Sequence, residues 1–144
     1  MHALIVEREE DLAGIVRGMR TVAVVGIKGD DRPDEPAHSI PAMLVAQGRD
    51  VIGINPTVPV ALGRPTLASV DALPAAVDVL DVFRRSDAIP ALADQLIAMP
   101  AALRPRIVWL QSGIRHDEAA GRLAAAGMRV VQDRCLGVYV KRYA

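Results

Sequence analysis

A short apolar run, a glycine-bearing loop and a helix follow one another from Thr21 to Gln47. Thr21 to Val25 is β-branched apart from Ala23, which suits a central parallel strand covered on both faces. Gly26 ends the run. A glycine there lets backbone N–H groups come close to a ligand, and the helix that follows turns its positive end to the same spot. The combination favours a bound anion, and it commits the chain to a layered arrangement of strands and helices.

With 144 residues the chain fits one domain, long enough to bury roughly 68–70% of its unfolded surface. The apolar runs are only a few residues long, so the sequence predicts no membrane span, and no signal-peptide pattern opens it. A cytoplasmic location is the expectation. Cys135 is the one cysteine, which excludes an internal disulfide and any multi-cysteine metal site. Seventeen basic residues balance seventeen acidic ones and aromatics make up 3% of the chain, so neither a basic footprint nor stacking platforms for nucleic acid are present. A small-molecule ligand is the better expectation, with a protein partner or homo-oligomer left open.

Val6 to Arg20 places Glu7, Glu9, Glu10 and Asp11 early and Leu12, Ile15, Val16 and Met19 on one face, the pattern of an amphipathic packing helix. Pro36 suits the first turn of a second helix that closes at Gly48. Asp50 to Ile54 reads as the second strand, stopped by Asn55-Pro56. Thr57 to Pro74 reads as irregular, with a helical turn at Ser69 to Leu73, and long connections of this kind often touch ligand. Val77 to Phe83 gives a third strand, Ser86 to Met99 a helix with Ser86 as N-cap, and Arg106 to Leu110 a fourth strand. A helix from His116 to Ala126, a fifth strand from Met128 to Gln132 and a short tail from Cys135 complete the chain. The alternation predicts an α/β fold, a doubly wound parallel five-stranded sheet of order 3-2-1-4-5 with an extra N-terminal helix. Residues 1–20 form that helix and 21–144 the ligand-binding domain, with the crevice above the first and fourth strands.

Residues just beyond the carboxyl ends of the strands carry function in such a sheet. Here they include Gly26 to Gly29, Asn55-Pro56, Phe83 to Arg85, Gln111 to Ile114 and Asp133 to Cys135. A dinucleotide fingerprint needs Gly-x-Gly-x-x-Gly and an acidic residue after the second strand, whereas Gly26-Ile27-Lys28-Gly29-Asp30-Asp31 and Asn55 stand in those places. Lys28 and the pair Arg84-Arg85 suit a ligand with more phosphate charge than NAD.

The series AVVGIK, GINP, VDVLDVFRR, IVWLQSGI and VVQDRC, in that order at the strand ends, resembles the small single-domain coenzyme A-binding proteins. These are relatives of the nucleotide-binding domain of the succinyl-CoA synthetase α subunit, and the resemblance runs from about Thr21 to Leu136. It implies a Rossmann-like sheet with coenzyme A across its carboxyl edge. Gly26-Ile27-Lys28 and the helix start at His38-Ser39 would then hold the diphosphate. Asn55-Pro56 and Val82-Phe83-Arg84 would line the adenosine part, and Gln111-Ser112-Gly113 would face the pantetheine arm. Two features depart from the pattern: Asp30, Asp31, Asp34 and Glu35 oppose a polyphosphate, and Ala37 stands where a hydroxyl residue is expected.

Plainer readings compete at several positions. Gly26 also fits a tight turn, Asn55-Pro56 a strand stop, Lys28 a solvated side chain, and Arg84-Arg85 surface partners of Asp81 and Asp87. His38 reads as a surface residue at the helix start, Trp109 as core with an indole N–H that seeks a partner, and Cys135 as a small half-buried residue, although a mixed disulfide with a ligand thiol is open to it. His2, His38 and His116 are scattered, and no catalytic set or metal-ligand spacing can be assembled. The expectation is a coenzyme A- or acyl-CoA-binding carrier, sensor or regulator. The alternatives are an NAD(P)- or acyl-CoA-dependent enzyme half-site completed by oligomerisation, and a ligand-free interaction domain.

Overall fold

The computed structural model describes residues 2–144. The β-branched run forms strand β1 (Thr21–Val25), buried from Val22 onward. After it come helix α2 (Pro36–Ala46) and strand β2 (Asp50–Ile54), with helix α1 (Glu9–Gly18) ahead of it. A small hairpin, β3 (Val60–Ala61) and β4 (Arg64–Pro65), leads to β5 (Val79–Val82), α3 (Ile89–Ala98), β6 (Ile107–Leu110), α4 (Asp117–Ala125), β7 (Arg129–Val131) and α5 (Leu136–Tyr143). No helix among the described residues is long and apolar enough to cross a membrane.

The main sheet is Rossmann-like and wholly parallel, in the order β2-β1-β5-β6-β7. In the five strands that the sequence predicts, this is 2-1-3-4-5 and not the expected 3-2-1-4-5. The burial of the strands explains the correction. β5 is buried at all four positions, so it needs a neighbour on each side, whereas β2 begins at an exposed Asp50 and contains Gly53, which suits an edge. The strand order therefore reverses between β1 and β5, and the crevice lies there instead of above the first and fourth strands.

Helices cover both faces of the sheet. Ala23, Val25, Leu80, Val82 and Val108 point to the side of α3 and α4, where Leu92, Leu96 and Leu123 are buried with them. Val22, Val24, Val79 and Trp109 face Leu12 and Val16 of α1, Leu44 of α2 and Leu136 of α5. The N-terminal helix thus shares a core with the first strand.

Both sheet borders are closed by other backbone. Along β2, Leu67 N–H donates to Gly53 O and Asn55 N–H to Leu67 O, each at 2.9 Å. Along β7, Val6 N–H donates to Val130 O at 2.8 Å and Val130 N–H to Leu4 O at 2.9 Å.

Three local expectations change. The β3–β4 hairpin lies inside the stretch read as irregular, and its turn holds Leu62 at φ 54 and Gly63 at φ 73, a backbone that leucine seldom signals. Ser86 does not cap α3; its hydroxyl accepts the Arg115 N–H at 3.0 Å, and a short 3₁₀ turn over Ser86–Ala88 precedes the helix. The tail from Cys135 is helical. Its Gly137 and β-branched residues are poor helix formers, but Leu136, Tyr139 and Val140 bury one face. Tyr139 meets Trp109 edge-on, with ring centroids 5.7 Å apart. Gly137 lies where α5 crosses α2, and a Cβ there would crowd Ile40 Cγ1 at 3.0 Å.

Candidate functional site

Gly26 turns the chain out of β1 at φ +83 and lies against the backbone that leaves β5. A Cβ on it would be driven into the Phe83 carbonyl oxygen and would lie 3.2 Å from the Phe83 carbonyl carbon. Only glycine allows this approach, because both the dihedral and the space exclude a side chain. Gly26 N–H bonds Ile54 O at 2.9 Å and Lys28 N–H bonds Ala37 O at 3.1 Å. The N–H groups of Ile27 and Gly29 have no acceptor among the described residues.

The mouth of α2 supplies less than expected. Pro36 has no N–H, and the N–H groups of His38 and Ser39 both donate to Glu35 O at 2.8 Å. Ala37 N–H is the free donor of that turn among the described residues. His38 is 8% exposed, so it is not the surface residue that the sequence suggested. Its Nε2 lies 2.8 Å from Asp30 Oδ1, which also accepts the Leu62 N–H at 3.0 Å. The Leu62 N–H and then His38 hold the Asp30 carboxyl below its ordinary value. Asp30 is thereby engaged with the β3–β4 hairpin, and Arg32 lies 3.9 Å from Asp31 and 3.6 Å from Glu35. Of the four loop carboxylates, only Glu35 borders either of the two cavities beside the glycine turn.

Two cavities flank the switch point. The first, about 340 Å³, is bordered by Pro56, Ser69, Arg84 and Gln95 over a floor of Val25, Ile54 and Leu92. The second, about 380 Å³, lies between Lys28, Glu35 and Pro36 on one side and Phe83, Gln111, Ser112, Ile114 and Cys135 on the other. Arg84 borders both, is exposed, and has no ion pair among the described residues. Lys28 is likewise exposed and unpaired at the second.

Other predicted residues have different tasks. Val82 is fully buried in the core and lines neither cavity. Arg85 reaches away to Asp87, Nη2 to Oδ2 at 2.7 Å. Asn55 braces the glycine turn: its Nδ2 donates to Ile27 O at 2.9 Å, and its Oδ1 accepts from Thr57 N at 3.0 Å and Thr57 Oγ1 at 2.9 Å. Ser39 is exposed outside both cavities, and Gly113 lies at φ +79 with its N–H on Asp133 Oδ1 at 2.6 Å. Trp109 is buried and its indole N–H finds Arg134 O at 2.8 Å. Cys135 is half-buried.

Reading by strand ends missed Ser69, Gln95, Pro36 and Ala37 as lining residues. Ser69 lies in the long connection that length alone flagged, whereas Gln95 on α3 carries no signal in its neighbours.

An open glycine turn with a cation at its side and a cavity on each flank suits a long ligand with a charged middle. The sequence of residues 20–141 matches the CoA binding domain family. The chain belongs to this CoA-binding domain family. The match takes in both cavities and begins after α1.

Other comparisons find similar chains and similar folds. The chain is 30% identical over 128 residues to the uncharacterized protein YneT of Bacillus subtilis (strain 168), covering 89% of this chain and 90% of that protein. The solved structure of cell-free ID.343 from Thermus thermophilus is 39% identical, with a TM-score of 0.85 over 96% of this chain and all of the other. A hypothetical protein from Pyrococcus horikoshii OT3 is 26% identical, with a TM-score of 0.82 over 95% of this chain and 92% of that one. The dinucleotide-forming acetyl-coenzyme A synthetase 1 of Ca. Korarchaeum cryptofilum shares the fold, with a TM-score of 0.63 at 24% identity over 77% of this chain and 25% of the synthetase. Membership of the CoA-binding domain family supports a CoA-binding role.

Proposed function

We propose that this chain binds coenzyme A or an acyl-CoA and acts as a carrier, sensor or regulator without a reaction of its own. The observation that carries the reading is the placement of Arg84 between two cavities, beside a glycine turn with free N–H groups. A diphosphate at that turn would meet the Ile27 and Gly29 N–H groups, the Ala37 N–H and the Arg84 guanidinium, a donor set suited to a polyanion. The adenosine end would take the first cavity and the pantetheine arm the second, where Pro36, Ala37, Phe83, Ile114 and Cys135 stand among the polar Lys28, Glu35, Arg84, Gln111 and Ser112. Lys28 and Arg84 are the cations of this assignment; Val82 and Arg85 take no part in it.

NAD is a poorer fit. The position after β2 that would hold ribose hydroxyls is Asn55, and its side chain is spent on Ile27 and Thr57.

A thermal-shift panel of coenzyme A, acetyl-CoA, dephospho-CoA, NAD, NADP and ATP tests the reading. A ligand at one hundred times its Kd stabilises the native state by about 2.7 kcal/mol. The CoA compounds should therefore raise the melting temperature by several degrees while NAD and NADP leave it unchanged. Silence from all CoA compounds would refute the assignment.

A further inference from the structure

Asp81 lies in the middle of β5, in register with Val24 on β1 and Trp109 on β6, and is 0% exposed. An apolar side chain would fill such a place without losing water, whereas a buried carboxyl is costly unless its oxygens are bonded. Its Oδ1 accepts Gln111 Nε2 at 2.5 Å, and its Oδ2 is buried without a partner among the described residues. Gln111 passes the contact on. Its Oε1 accepts the N–H of Leu136, the first residue of α5, at 3.4 Å, and Gln111 itself lines the second cavity with Cys135. One neutral amide therefore joins a buried acid, a cavity wall and a helix start.

We propose that Asp81 is a positioning residue for the second cavity, setting through Gln111 the wall against which the ligand's thiol arm lies. The ligand's identity rests on the coenzyme A reading; the wall does not. Gln111 cannot turn over, because its NH₂ would then face the Leu136 N–H, donor against donor. Protonated, Asp81 offers the amide a neutral oxygen. Ionised, it draws on that amide as its one hydrogen-bond donor, a stronger bond that shifts the wall and the start of α5.

Burial pushes the Asp81 carboxyl up to about 7, with the Gln111 hydrogen bond pulling the other way, so the change falls near neutral pH. Val24 and Trp109 do not titrate. Of the side chains that α1, α2 and α5 bury on this side, the ionisable types are His38 and Tyr139; His38 is bonded to Asp30, and burial pushes Tyr139 further above its ordinary value. Lys28, Glu35, Arg84 and Cys135 border the cavity, and none of them bonds Asp81.

The test uses the full chain with Asp81→Asn, which keeps the shape and has no proton to lose, and Gln111→Leu, which cuts the link. Trp109, the single tryptophan, reports the Asp81 titration by fluorescence; iodoacetamide on Cys135, the single cysteine, reports the wall without any ligand, as a step on top of the smooth rise with pH that alkylation of any thiol shows and that all forms share. Calorimetry gives the coenzyme A Kd over the same pH range, the ligand's own ionisation being common to all forms. In the parent protein both the alkylation rate and the Kd should step roughly two- to tenfold at the fluorescence midpoint, the scale of one hydrogen bond. Asp81→Asn should lose all three steps. Gln111→Leu should keep the fluorescence titration and lose the other two. Cavity steps that persist in either variant would overturn the proposal, and if Asp81→Asn fails to fold, Gln111→Leu decides alone. Absent coenzyme A binding at every pH, with the alkylation step still following Asp81, would defeat the ligand assignment and uphold the positioning role.

Discussion

Gly26 and Phe83 meet backbone against backbone where β1 and β5 end, with no room for a methyl group between them. Gly26→Ala would place a side chain at φ +83 and press it into a carbonyl oxygen that cannot swing away from its strand. A loss of roughly 2–4 kcal/mol follows from left-handed strain plus the clash. Urea denaturation of the variant measures it; a loss under about 1 kcal/mol would mean that the two strand ends can part.

Adjacent arginines should behave differently. Arg84 borders both cavities unpaired, whereas Arg85 is held by Asp87. Arg84→Ala and Lys28→Ala should each weaken coenzyme A binding by about 1–3 kcal/mol, the range for charge-assisted bonds, and Arg85→Ala should leave it within error. Calorimetric titration separates the three, and equal losses at Arg84 and Arg85 would contradict the placement.

Stability should fall as pH rises toward neutrality. Folding raises the proton affinity of Asp81 from an ordinary 3.8 to about 7, so across that window the folded chain keeps a proton that the unfolded chain has released. The contribution is fully present below the lower value and lost by the upper one, at most about 4 kcal/mol. Asp81→Asn has no such dependence. The melting temperature of Asp81→Asn minus that of the parent should widen from pH 5 to pH 8, and a constant difference would show that the parent carboxyl titrates in its ordinary range.

Asn55→Ala removes the donor that holds Ile27 O and the acceptor of two Thr57 hydrogen bonds. A destabilisation of about 1–3 kcal/mol is expected from the half-buried groups left unpaired. Coenzyme A affinity should fall with it, because the same turn offers the Ile27 N–H. Equilibrium unfolding and calorimetry on one preparation check both effects.

Much of this architecture is visible in local pattern. β1 and β2 have the ends that their β-branched runs foretell. Strand order is not a local property. It depends on how much of Val79–Val82 is buried on both faces, and an aspartate inside that run hides the signal. The helix from Leu136 forms because Trp109, twenty-seven residues upstream in a strand, offers it a surface, and no window around residue 136 contains that information. The site shows the same division. Gly26, Lys28, Arg84, Gln111 and Ser112 are placed by strand ends, whereas the inward turn of His38 depends on Asp30 and the hairpin at Leu62. Val82 closes a strand in which alternate residues must point to opposite faces, and its face is the core of α3 and α4.

The closed borders of β2 and β7 also bear on how the molecule lives among copies of itself. With Leu67 paired to Gly53 and Asn55 on one flank, and Leu4 and Val6 paired to Val130 on the other, a stray extended peptide finds each ladder already interrupted. Crowded chains should accordingly resist fibrous growth through these flanks, and any self-association is left to their helical sides.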